Sequence, residues 1–405
     1  MLPNIIEAFI DLPDNRREHP NKLHKLIDIV VIVIWGTLAN LDSWEDIVLY
    51  ARDKEVLLKQ YLELPYGIPS RDTLIRTFAL IDPILFTATF KTWMEQASPA
   101  SRTIMRQLQL DGKWLLGTKN TGTGKIQALQ EALKLVTIWS GEERLVLAQQ
   151  AVAQGSSEVT TAPEILQSVN LTQTMVRMDA AHAQLETLRV IRSKQGQYMV
   201  GIKKNQKSLY QGIEDLFDDH QDKAKAFESF DVKHGREEQR QIWGLSLEMS
   251  FCGQLKSADC RIEQWQEVGL KSVYKVEKKT KRGGKESCES RYYLGSVIVD
   301  AQQALEMIRG YWSIENKQHY ILDVTFHEDA NRTRTGFAAQ NLALVRRIAL
   351  NLLAIERTRR LDAGVKRVSM RGMRVRAGWN DMALLELLGL QPLIGFRDGQ
   401  QNVDS

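Results

Sequence analysis

The chain has 405 residues, 43% of them hydrophobic and 26% charged, with a formal net charge of only +4. That length calls for two or three globular units, no stretch is biased enough to read as disordered, and so weak a positive charge permits a nucleic-acid partner without requiring one. Cys252, Cys260 and Cys288 offer neither a zinc spacing nor an even disulfide framework, and the N-terminus has no signal-peptide pattern, so a cytoplasmic protein is expected.

Residues 1–100 read as a helical N-terminal domain, suited to DNA binding or assembly. The apolar run Ile29–Trp35 is far shorter than the roughly 20 residues a membrane helix needs, and reads as a buried core element. Ser43 opens a capping box ahead of a helix carrying Trp44, Ile47, Val48 and Ala51, and Ser70 is placed to cap the next. After Ser98–Ser101 the pattern turns to strands. Leu108–Leu110 alternates and runs into Asp111, which is expected to close its strand, and Leu133–Trp139 and Leu145–Val152 flank the short loop Ser140–Glu143.

Helices are then expected at Thr161–Val169, Leu185–Arg192 and Ser208–Phe217, alternating with strands Met175–Met178, ending at Asp179, and Tyr198–Ile202. Hairpins followed by helical crossovers make an α/β mixed sheet, in the element order of a ribonuclease H-like core over residues 101–225. Residues 226–300 read as a β-strand insertion carrying a basic loop, Lys278–Lys285. Helical periodicity returns over 301–355, the remainder of the core. In the basic C-terminal segment, 356–405, eight cations between Arg357 and Arg376 face only Glu356 and Asp362, so this stretch reads as functional.

Transferring a phosphodiester at neutral pH calls for stabilised attacking and leaving oxygens, which carboxylate-held divalent metals supply. Asp111 and Asp179 would lie side by side if their strands are neighbours. A third carboxylate from a later helix would complete the set, and Glu315, Asp323, Glu328 and Asp329 all fall in that region.

Several separated motifs resemble the H-repeat-associated subgroup of insertion-sequence DDE transposases. These are Gly67-Ile-Pro-Ser-Arg-Asp-Thr73, Leu110-Asp-Gly-Lys113, Asp179-Ala180 with Gln184, Ile202-Lys-Lys-Asn-Gln206, and Tyr311-Trp-Ser-Ile-Glu-Asn316 followed by His319–Phe326 and Glu328-Asp329. The resemblance implies a transposase that cuts and joins DNA strands at insertion-sequence ends, with Asp111, Asp179 and Glu315 holding magnesium or manganese, two ions being expected. It implies a homo-oligomer on DNA, at the nucleoid.

Lys113, Lys203 and Lys204 are expected to meet DNA phosphate, with Arg332 a further DNA contact. On a regular helix Tyr311, Trp312, Gln318 and His319 would share the face of Glu315, so His319 is expected to touch a phosphate or orient that carboxylate. Arg71 stands where the subgroup has His, Leu116 where it has an arginine, and Gly155-Ser-Ser-Glu158 where it has Lys-Ser-Asn-Glu. The alternative is a domesticated DNA-binding protein that keeps the carboxylates without turnover.

Overall fold

A computed structural model describes residues 4–97, 105–120, 131–204, 206–220, 224–233, 236–247, 262–311 and 314–392. Cys252 and Cys260, the Ser98–Ser101 break, Asn205, Trp312 and Ser313 lie outside the described residues.

Residues 4–97 are mainly helical: α1 (Ile5–Phe9), α2 (Leu26–Leu38), α3 (Trp44–Asp53), α4 (Glu55–Leu58), α5 (Arg71–Leu80) and α6 (Pro83–Ala97). Ser43 and Ser70 cap as expected, accepting from the backbone N–H of Asp46 at 3.1 Å and of Thr73 at 3.2 Å. The Ile29–Trp35 run lies within α2 and is buried along its whole length. β-branched side chains disfavour a helix, so here burial on every side overrides propensity.

Among the described residues nine strands form one mixed sheet: β1 (Arg106–Leu115), β2 (Leu133–Ser140), β3 (Leu145–Ala151), β4 (Thr174–Met178), β5 (Gln197–Ile202), β6 (Lys225–Lys233), β7 (Arg236–Ser246), β8 (Ser272–Arg282) and β9 (Lys285–Gly295), in the order β3-β2-β1-β4-β5-β9-β8-β7-β6. β1 is antiparallel to β2 and parallel to β4, which is parallel to β5. The crossovers run through α7 (Glu158–Gln167) and α8 (Leu185–Ser193), and α9 (Lys207–Asp219) leads to β6.

Asp111 does not close its strand. β1 continues to Leu115 because β2 still pairs with it, Asp111 lying opposite Thr137, whereas the β1–β4 ladder stops at Leu110 opposite Met178. Asp111 and Asp179 are thus the next residues on two neighbouring strands where their ladder opens. Parallel strands whose pairing ends together leave a crevice at their carboxyl ends, and that is where a site forms.

The Lys278–Lys285 stretch is not a loop. It is the distal part of β8 and the start of β9, fully paired and joined at Gly283 and Gly284, whose φ values of 54° and 78° suit a tight turn. This hairpin end is mostly exposed on both faces, so its charged residues show no alternation to betray a strand. β9 also pairs with β5, so the later strands extend the same sheet.

α10 (Ile262–Glu267) precedes β8, and α11 (Ala301–Tyr311) packs across β4, β6, β7 and β8. A π-helical turn, Ile314–His319, runs into α12 (Tyr320–Val324). The chain ends in α13 (Ala338–Asp362), α14 (Met370–Trp379) and α15 (Asp381–Leu388). α13, which passes through the expected boundary at residue 355, packs on α2, α5 and α6 and also on β3, so one apolar core runs from Ile5 to Leu390. Asn351 on α13 hydrogen-bonds both the N–H and the C=O of Val146 at 2.8 Å, and Asn341 donates to the carbonyls of Phe78 and Ile81. α13 is the one described helix long and apolar enough to cross a membrane, and 83% of its apolar window is buried.

Candidate active site

Asp111 from β1, Asp179 after β4 and Glu315 from the π-helical turn line one cleft of about 790 Å³, together with Arg177, Lys203, Lys204 and Tyr311. Three sequence segments, up to two hundred residues apart, thus bring their carboxylates to one opening. A π turn is uncommon and often marks a functional position, because it displaces one side chain from the regular helical rows. Here Glu315 is exposed while Gln318 is fully buried, so the two do not share a face as a regular helix would require. Tyr311 does remain beside the site.

Burial pushes the Asp111 carboxyl up to about 7, and repulsion from Glu315 and Glu158 adds to this, against hydrogen bonds from the Gly112 N–H and the Tyr311 hydroxyl. Burial and the charge of Asp179 likewise raise Glu315. Burial would raise Asp179 as well, but the Lys203 ammonium, donating to it at 2.7 Å, holds it below the usual carboxylate range. Beyond burial, the mutual repulsion of these carboxylates raises Asp111 and Glu315, and a bound cation would relieve it.

Several expected contacts are made elsewhere. Lys113 is buried and paired with Asp323 at 2.7 Å and Asp329 at 3.0 Å, so its ammonium is not free for a phosphate. Those pairs, and the buried Glu328–Arg347 pair, also take up the three acids that compete with Glu315 in the sequence. His319 sits beside Asp111, Nδ1 to Oδ2 3.9 Å, and not against Glu315. Burial and then Lys113 push its imidazole down to about 4, so it is neutral at physiological pH. Lys203 and Lys204 line the cleft, Lys204 stacked 5.8 Å from the Tyr210 ring centre. Arg332 is exposed on a different cavity, bounded by Trp44, Glu45, Arg71 and His327.

The cationic stretch after Glu356 is partly structural. Arg374 is fully buried, donating to the Thr37 carbonyl and pairing with Asp42 at 3.1 Å, and Arg359 and Arg360 share Glu356. Arg177 was not singled out by the sequence; its one signal is its place two residues before Asp179, on the same face of β4.

The profile of the transposase DDE domain family matches residues 81–352, and that of its associated N-terminal family, DDE_Tnp_1-associated, matches residues 6–94. The chain belongs to the DDE transposase family. The transposase is 29% identical over 404 residues to YncI of Escherichia coli O157:H7, named as a transposase, covering 98% of this chain and 97% of that one. An uncharacterised protein from the dhlA 3′ region of Xanthobacter autotrophicus is 35% identical over 302 residues, 74% of this chain and 97% of its own. YhhI of E. coli K12, named as an H repeat-associated transposase, is 26% identical over 378 residues, covering 90% and 94%. The subgroup suggested by the motifs is therefore the right one, and the chain is a DDE transposase, a family of DNA-cleaving and strand-transferring enzymes.

Proposed function

We propose that Asp111, Asp179 and Glu315 are the catalytic carboxylates, acting on insertion-sequence ends. The observation that carries this is their convergence on one cleft while the neighbouring acids Asp323, Glu328 and Asp329 are consumed in ion pairs. The sheet order β3-β2-β1-β4-β5 supports a ribonuclease H-like core, with β6–β9 as its insertion and α1–α6 as a helical N-terminal domain. DNA is the partner, a homo-oligomer on paired ends the working form, and the bacterial cytoplasm, at the nucleoid, the setting.

Among the described residues no three acids or histidines are drawn together tightly enough to form a ready coordination cluster. The donor set nevertheless fits magnesium or manganese: it consists of hard carboxylate oxygens, and the Lys203 ammonium already occupies the place of a cation on Asp179. Bound divalent ions, two in this reading, would stabilise the attacking and leaving oxygens of an in-line displacement. The chain's own groups prepare that centre. Tyr311 and the Gly112 N–H fix Asp111, the neutral His319 packs beside it without adding charge, and Lys203 and Lys204 offer ammonium groups to DNA phosphate.

Cleavage of labelled duplexes bearing the element's own ends, with magnesium, tests this. Wild type should cut, and Asp111→Asn and Glu315→Gln should lose at least about a hundredfold in rate, whereas Asp323→Asn should keep most of it. Metal-dependent cutting that survives Asp111→Asn would refute the assignment, and a wild type that binds ends without cutting would favour the domesticated alternative.

A further inference from the structure

The stretch Leu135-Val-Thr-Ile-Trp139 of β2 is buried at every position, and Thr137 supplies its one hydroxyl. Thr137 is 0% exposed, and its Oγ1 has no hydrogen-bond partner among the described residues. Burying a hydroxyl without a partner is costly, so nearly all are bonded and an exception calls for a reason. Valine would fill the same place in this apolar strand without that cost.

The reason lies across the sheet. Thr137 stands directly opposite Asp111 in the β1–β2 ladder, and Gln149 directly opposite Thr137 in the β2–β3 ladder. Directly opposed residues point to one face with their Cβ atoms about 5 Å apart, so short polar side chains can meet there. The three form a polar row across three strands. The π turn and α13 cover it: His319 Nδ1 lies 3.9 Å from Asp111 Oδ2, and Gln149 Nε2 donates to the Gln340 carbonyl at 3.4 Å. Asp111 is the end of the row that opens into the cleft. Its carboxyl accepts from the Gly112 N–H and the Tyr311 hydroxyl, and a carboxylate has room for further donors.

We propose that Thr137 is a positioning residue for strand cutting: its hydroxyl rotates to donate to the Asp111 carboxylate in the loaded site and fixes the direction of that side chain from across the ladder. This rests on the reading of Asp111 as a metal ligand. Hydrogen bonds that support a catalytic group are often unmade in the empty site and tighten only when it is occupied, which accounts for a hydroxyl kept buried and unbonded.

Three variants test it in chelator-treated protein, by thermal melting and by electron paramagnetic resonance of free manganese, with cutting of labelled ends alongside. Thr137→Val should melt no lower than wild type, because its hydroxyl has no bond to lose, yet take up manganese at least about tenfold more weakly and cut more slowly by a similar factor. Thr137→Ser should melt lower for its missing methyl, yet bind manganese as wild type does. A role in packing alone would give the reverse order, since valine fills the site and serine does not.

Wild-type uptake in Thr137→Val, or uptake by Thr137→Ser as weak as that of the valine variant, would overturn the positioning role. So would a Thr137→Val that melts well below wild type, because the hydroxyl would then already be spent in the fold. Asp111→Asn separates this from the reading beneath it: the variant should lose uptake, and if it does not, the assignment of Asp111 falls and the role of Thr137 with it.

Discussion

Tyr311 donates its hydroxyl to Asp111, and this bond, with the Gly112 N–H, sets the direction of a carboxylate that burial would otherwise keep protonated. Groups that orient a metal ligand are typically worth 10–100-fold in affinity or rate, so Tyr311→Phe should slow cutting by about that much and raise the manganese concentration needed for half-maximal rate. An unchanged metal requirement would rule out this role.

The pH dependence follows from the same carboxyl. Its folded value, about 7, lies above the ordinary 3.8, so the stability it contributes is present below the ordinary carboxylate range and is lost as pH rises through about 7. In chelator, thermal melts should therefore fall between about pH 4 and 7 and level off above that, magnesium should restore them at the upper end, and Asp111→Asn should flatten the slope. A metal-free melt with the same slope in wild type and variant would contradict it. That the two aspartates meet on neighbouring strands was legible in the sequence because strand and motif lie next to them in the chain. The fate of Lys113 was not, since its partners Asp323 and Asp329 lie some two hundred residues away.

At the scale of elements, the turn Leu116–Thr118 after β1 packs on the turn Glu328–Ala330, and Gly117 allows this approach. A Cβ there would lie 2.3 Å from the Asn331 carbonyl oxygen and 2.6 Å from that of Asp329, both backbone atoms. Gly117→Ala should cost about 1–3 kcal/mol in chemical denaturation, because only backbone movement relieves the clash. Beside it, Glu328 and Arg347 form a wholly buried pair with a second contact at 3.2 Å. Arg347→Met should cost about 3–5 kcal/mol by stranding the carboxylate, and adding Glu328→Leu should recover part of that loss; no recovery would show that the arginine acts through its bond to the Ala343 carbonyl instead.

Elements were readable where pattern and packing agreed, as in α3 and β4. They were misread where packing alone decided. β1 outlasts Asp111 because β2 holds it, and β8 and β9 are strands despite a run of lysines because they pair with each other.

For the molecule as a whole, α13 is the element that the sequence located but could not place. Its stripe of Leu342, Val345, Ile348 and Leu352 announced a buried helix, yet only the fold shows that α2, α5 and α6 pack against it together with β3, so the N-terminal helices and the sheet share one core. Glu315 is held at the strands by α11, which packs across β4, and by the packing of its own π turn on β1.

We propose that the three carboxylates, from three distant segments, act as one metal-binding centre. Electron paramagnetic resonance of free manganese, titrated into chelator-treated protein, measures this directly. Wild type should take up manganese, Asp111→Asn, Asp179→Asn and Glu315→Gln should each weaken uptake at least about tenfold, and Asp323→Asn should match wild type. Uptake undiminished when all three are replaced, or lost as fully in Asp323→Asn, would show that these carboxylates do not form a metal centre.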